Sequence, residues 1–149
     1  MLGVLTAGCA GPGAGPPLAT SRIEVDSAKA SALVSAYRRE HGLSPVSRDR
    51  ALDAVAQKQA DAMAGANKLS HTIAGALPDR LAQAGQGWHA TAENVSAGYT
   101  DLPDALAGWR RSPEHDRNLL LPAMRRMGIA GARAPGTRFK TFWAMVLAD

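Results

Sequence analysis

Cysteine is almost absent from this chain, since Cys9 is the only one among 149 residues. A single thiol excludes an internal disulfide and a cysteine-rich zinc module. Aromatic residues make up only 5% of the sequence, and no nucleic-acid-binding motif is present, so we expect no nucleic acid partner. The chain also lacks any run of about 18 or more apolar residues, so we expect no transmembrane helix.

The remaining composition suits one globular domain with one core, because 46% of the residues are hydrophobic and 20% are charged. Seventeen basic side chains outnumber thirteen acidic ones, which gives a net charge of +4. A moderate positive charge favours anionic surfaces, so an anionic lipid or a cell-wall component is the expected partner. We expect the protein to be a monomer.

The first nine residues, MLGVLTAGC, are apolar and end in Ala7, Gly8 and Cys9. Small residues before a cysteine resemble the end of a bacterial lipoprotein signal peptide, in which that cysteine becomes the lipidated N-terminus. Residues 10–20 are rich in Gly, Pro and Ala, which is typical of a tether. We predict a signal-like remnant and tether over residues 1–21, lipidation at Cys9, and one domain over residues 22–149. An ordinary N-terminal tail is the alternative.

Apolar residues recur at helical spacing in the first half of the domain. A stripe that starts at Ala30 and follows the i, i+3, i+4, i+7 pattern predicts a helix over residues 27–40. A second stripe predicts a helix that is capped by Ser47 and ends near Asn67. Shorter helices are predicted over residues 78–84, from Pro103, and from Pro113.

Strands are predicted in the second half of the chain, over residues 92–97, 127–132 and 142–148. The last of them, FWAMVLA, is continuously apolar, which is typical of a strand covered on both faces. Helices at the start of a chain and strands at its end favour a sheet between helical layers. The predicted fold class is α+β, a three-layer α-β-α sandwich.

Three polar residues stand out at the boundaries of predicted elements. His71 follows the second helix, Glu93 lies among small apolar residues, and His115 lies one turn into the helix that starts at Pro113. Two imidazoles and one carboxylate suit a divalent metal such as zinc and leave a position for water or a ligand. Alternatively, the three side chains form a hydrogen-bonded network that only stabilises the fold. In either case we expect their polar atoms to converge within about 6 Å.

Six short motifs follow one another along the chain: YRREHGL at 37–43, SH at 70–71, AEN at 92–94, WRRSPEHDRNLL at 109–120, MGI at 127–129 and FWA at 142–144. This ordered set resembles the CAP superfamily of cysteine-rich secretory, antigen-five and pathogenesis-related proteins. The resemblance covers residues 30–148, and the SCP-like bacterial branch, which lacks disulfides, fits best. It implies an extracytoplasmic protein, either secreted, periplasmic or a membrane-anchored lipoprotein.

By this resemblance, His71, Glu93 and His115 line a central cleft. Our first hypothesis is a non-enzymatic envelope protein that binds a lipid, a wall component or a protein through that cleft. The second is a metal-dependent or histidine-assisted hydrolase, with Glu93 as general base or metal ligand. The third is a cleft that serves stability alone. Because the sequence has no nucleophile elbow, binding is favoured over catalysis, and no cofactor is expected to be required for folding.

Overall fold

A computed structural model describes residues 18–85 and 87–149 of the chain. The helices are α1 (Ser27–Glu40), α2 (Arg50–Ala66), α3 (Leu77–Gln83), α4 (Leu102–Arg111) and α5 (Pro113–Leu119). The strands are β1 (Ser21–Ile23), β2 (Ser47–Arg48), β3 (Thr91–Ala97), β4 (Arg126–Ala134) and β5 (Lys140–Ala148). Cys9 and most of the predicted tether lie outside the described residues, so both remain predictions. Among the described helices, none combines the length and the hydrophobicity needed to cross a membrane.

The sheet has the strand order β1-β4-β5-β3, and the two-residue β2 pairs in parallel with the start of β4. The neighbouring strands of this order are antiparallel. Strand β5 is therefore hydrogen-bonded on both edges, and every residue from Thr141 to Ala148 is buried. This explains why the FWAMVLA run carries no polar alternation.

Helices cover both faces of the sheet. One apolar cluster joins a sheet face to α2 and α3, through residues such as Leu52, Met63 and Leu81. A second cluster joins the opposite face to α1, α4 and α5, through residues such as Val34, Trp109 and Leu119. The three-layer α-β-α sandwich predicted from the sequence is therefore confirmed. Strand β3 forms one edge of its central layer.

The two long helices begin and end close to the positions predicted from the sequence. Helix α1 spans the predicted residues, and Gly42 follows it with a φ of 72°, a left-handed conformation that glycine adopts without a Cβ clash. The prediction that Ser47 caps α2 is wrong. The backbone N–H of Ser47 instead donates to the Arg125 carbonyl at 2.8 Å as part of β2. The capping residue is Asp49, whose Oδ1 accepts from the N–H of Ala51 at 2.8 Å.

Candidate functional site

Strand β3 sends two neighbouring polar side chains to opposite faces of the sheet edge. Successive residues of a strand alternate between its faces. Glu93 accordingly contacts α3 on one face, whereas Asn94 contacts α5 on the other. The edge of β3 therefore lies between the loop after α2, which carries His71, and α5, which carries His115.

Glu93 is buried, with 4% of its side chain exposed, and both of its carboxylate oxygens are engaged. Oε2 accepts a hydrogen bond of 2.6 Å from Nη2 of Arg80, a side chain that is only 1% exposed. Oε1 lies 2.9 Å from Nδ1 of His71. The charge of this carboxylate is thus balanced inside the protein by a guanidinium.

His71 projects into solvent from the loop after α2, with 54% of its side chain exposed. Gln59 of α2 holds this loop by donating its side-chain amide to the carbonyl of Ser70. An ionised carboxylate only accepts hydrogen bonds, so Nδ1 of His71 carries the hydrogen that it donates to Oε1 of Glu93. In the neutral ring, Nε2 is then the free acceptor, pointing away from Glu93.

His115 lies in the first turn of α5 and is half-buried. Its Nδ1 lies 2.9 Å from the hydroxyl oxygen of Ser112. Ser112 occupies the N-cap position of α5, but its hydroxyl makes no hydrogen bond to the helix backbone and contacts the His115 ring instead.

The amides of Asn94 and Asn118 tie α5 to the strand. Asn94 donates to the backbone carbonyl of His115 at 3.0 Å. Asn118 donates to the Asn94 side-chain oxygen at 2.9 Å and to the Glu93 carbonyl at 3.2 Å. These bonds hold His115 beside the same stretch of β3 that presents Glu93.

The two histidines influence each other electrostatically. Burial lowers the pKa of His115 below its usual value of 6.5, the charge of His71 lowers this pKa further, and Glu114 opposes the shift. The His115 ring is therefore neutral at pH 7. Of the three predicted cleft residues, His71 and Glu93 are in direct contact. The asparagine contacts place His115 beside β3, and His71 contributes to the lowered pKa of His115.

We expect His71→Ala to raise the pKa of His115, because a neighbouring positive charge is removed while burial remains. The value should stay below that of a free histidine, about 6.5. NMR titration of the His115 ring protons measures this change directly. His41→Ala is a matched control, because its ring lies exposed at the end of α1, against Tyr37 of the same helix. An unchanged His115 titration in His71→Ala would contradict the proposed proximity.

The sequence predicts a zinc ion held by His71, Glu93 and His115. Three side chains can share a metal only if each directs a free lone pair to one point. Both oxygens of Glu93 are engaged by Arg80 and His71. Within residues 18–85 and 87–149, no group of three or more His, Cys, Asp or Glu side chains is placed to hold a metal ion. As arranged here, the trio does not fit a zinc ion with Glu93 as a ligand.

Arg80, the partner of Glu93, is a site residue that was not predicted from the sequence. Its guanidinium also donates from Nε to the Gly75 carbonyl at 3.0 Å and from Nη2 to the His71 carbonyl at 3.2 Å. One signal was available in the sequence. Arg80 lies between Leu77 and Leu81 at helical spacing, so it shares the apolar face of a short helix.

The chain is similar in sequence to a known protein family. Residues 32–147 match the CAP family, described as the cysteine-rich secretory protein family. This chain belongs to the CAP family. The match covers most of the domain, including His71, Glu93 and His115, and it confirms the resemblance drawn from the sequence motifs.

Bacterial CAP proteins are among its relatives. Over 99 residues the chain is 30% identical to the uncharacterized membrane protein YlbC of Bacillus subtilis (strain 168), covering 65% of this chain and 29% of that protein. An extracellular protein of Bacillus anthracis containing an SCP domain has a TM-score of 0.70 and 28% identity. That similarity covers 80% of this CAP domain chain and 39% of the Bacillus anthracis chain. The chain thus spans less than half the length of either protein.

An outer surface protein of Borrelia burgdorferi is similar over nearly its whole length. The TM-score is 0.73 at 20% identity, and the alignment covers 88% of this chain and 98% of that one. At this level of identity, the likeness shows a shared fold only. The Borrelia protein therefore has a CAP fold of about the same extent as this chain.

Proposed function

We propose that this CAP domain is an extracytoplasmic binding module that captures phosphate or carboxylate groups of an envelope lipid or wall polymer. The ligand would contact the cleft side that carries His71 and His115. One observation carries this proposal. The buried guanidinium of Arg80 balances the charge of Glu93, so the site presents imidazoles rather than a free carboxylate. Imidazoles that face solvent can donate charge-assisted hydrogen bonds to an anion when protonated.

Positive charge on the protein surface supports an anionic ligand. Eight basic residues between positions 105 and 140 are all exposed: Arg110, Arg111, Arg117, Arg125, Arg126, Arg133, Arg138 and Lys140. Only Glu114 and Asp116 oppose them over the same stretch. Such an excess raises the local concentration of a polyanion and of anionic lipid head groups. The names of the relatives, which include an extracellular protein, a membrane protein and an outer surface protein, support a location at the envelope. A lipid anchor at Cys9 would place the domain at that surface.

We expect anion binding to strengthen as the pH falls from about 7.5 to about 5.5, because an anion favours the protonated imidazoles. Losing one charge-assisted hydrogen bond, worth roughly 1.5 kcal/mol, should make His71→Ala and His115→Ala bind about tenfold more weakly at the lower pH. A zinc-dependent ligand would show the opposite trend, since protonated imidazole cannot ligate a metal.

Co-sedimentation with phosphatidylcholine vesicles, with and without phosphatidylglycerol, tests a lipid source of the anion. Fluorescence titration with soluble poly(glycerol phosphate) tests a wall-polymer source. His41→Ala again serves as the control, because its ring lies exposed at the end of α1. Equal binding by wild type and both cleft variants at each pH would refute the proposal.

Hydrolysis is the second candidate, and the contact between Ser112 and His115 is the observation that favours it. A hydroxyl within 2.9 Å of an imidazole that is neutral at pH 7 is the arrangement of a nucleophile and its base. One observation argues against hydrolysis. Within the described residues, no carboxylate accepts a hydrogen bond from the His115 ring, so none orients it as a catalytic base. Glu93 is also unsuited as a general base, because its oxygens are engaged. Ser112→Ala should abolish a hydrolytic activity and leave anion binding nearly unchanged.

A further inference from the structure

Arg80 and Glu93 form a buried ion pair directly behind the cleft. Their side chains are 1% and 4% exposed, and 2.6 Å separates Nη2 from Oε2. The same guanidinium donates to the carbonyls of Gly75 and His71. It thus holds the carboxylate and the loop that carries His71 in one fixed arrangement.

Stability alone does not account for an arginine at this position. A buried ion pair contributes little net stability compared with apolar side chains of the same size, because both charges must leave water. The second terminal nitrogen, Nη1, is buried and has no hydrogen-bond partner within the described part of the chain. A buried donor without a partner is unfavourable and calls for another explanation. The position of the charge beside Glu93 offers one.

A divalent cation that binds Glu93 would have to share the carboxylate with Arg80. The guanidinium already lies at hydrogen-bonding distance from Oε2, and a second cation at that oxygen would be repelled at close range in a poorly solvated site. Oε1 accepts the hydrogen bond of the His71 Nδ1–H. Glu93 therefore orients His71 through one oxygen and is already paired with a cation through the other.

We propose that Arg80 is a resident counter-cation that keeps divalent metals from binding Glu93. Arg80 is a positioning residue, because it acts through Glu93 and His71 and does not face the ligand. This inference goes beyond the proposed function, and it is tested with Zn²⁺ alone, so that a failure of anion binding would not affect it.

The decisive comparison is between Arg80→Gln and Arg80→Lys. Glutamine removes the charge and keeps two amide N–H donors, whereas lysine keeps the charge. We expect Zn²⁺ to bind Arg80→Gln roughly tenfold or more tightly than wild type, as measured by isothermal titration calorimetry. Arg80→Lys should match wild type, and the double variant Arg80→Gln/Glu93→Gln should lose the gain. Equal Zn²⁺ affinity in wild type and Arg80→Gln would overturn the proposal.

A second measurement applies even if Arg80→Gln does not fold. Equilibrium dialysis of the wild-type protein with Zn²⁺ should show no equivalent of metal whose binding depends on Glu93. Uptake of one equivalent in the low micromolar range, lost in both His71→Ala and Glu93→Gln, would show that Arg80 does not exclude the metal. Wild-type protein that takes up no such equivalent, while its circular dichroism spectrum shows a folded domain, supports the proposal.

Discussion

Arg38→Ala is expected to lower the free energy of unfolding by about 3–5 kcal/mol, the largest loss anticipated for any single side chain here. Arg38 lies on α1, is fully buried, and donates from its guanidinium to four backbone carbonyls. They belong to Ser44, Leu119, Leu121 and Met124, at 2.8, 2.6, 3.0 and 3.1 Å. Truncation leaves these acceptors without their charged donor and opens a cavity, so several penalties act together.

Urea unfolding followed by circular dichroism measures this loss. Arg39→Ala is the matched control, because the neighbouring side chain is exposed and should change stability by only about 0.5 kcal/mol or less. Arg38→Lys should fall between the two, since one ammonium cannot reproduce the fork of the guanidinium. A small loss in Arg38→Ala, comparable to the control, would show that the carbonyls find other donors. Because three of them follow His115 on α5 or in the loop beyond it, the variant should also disturb the cleft.

Gly128→Ala should destabilise the domain by about 3 kcal/mol or more, because it forces α2 away from β4. A Cβ added at Gly128 would overlap the carbonyl carbon of Leu52 and the backbone nitrogen of Asp53. Both atoms belong to the helix backbone, so no side-chain rotation relieves the clash. The nearby hydrogen bond of 3.0 Å from the Ile129 N–H to Asp53 Oδ1 also depends on this close approach.

Gly65→Ala is the control, and it is expected to raise the stability that Gly128→Ala lowers. Gly65 lies in the exposed last part of α2, and among the described residues no atom outside the adjoining helix backbone lies within 4 Å of where its Cβ would be. Alanine should therefore stabilise the helix by up to about 1 kcal/mol. Thermal unfolding of both variants makes the comparison, and a Gly128→Ala protein as stable as wild type would refute the close-packing argument.

Local patterns predicted the elements of this fold well, and particular residues show why. The apolar stripe that starts at Ala30 marks α1 because helical periodicity is a short-range property. Gly42 marks the end of α1 because few other residues adopt its backbone conformation. Ser47 misled the prediction because serine caps helices frequently, while pairing with β4 depends on residues almost 80 positions away.

The sequence by itself determined the family, the helices and the buried strand β5, and it singled out three polar residues as a candidate site. It could do so because motif order, periodicity and hydrophobicity are properties of the local sequence. Only the tertiary structure decided how those polar residues are paired. Arg80 meets Glu93 because α3 packs over the edge strand, and Ser112 turns from its helix to His115. Such pairings follow from three-dimensional distance and from the need to satisfy buried charges, which no local pattern encodes.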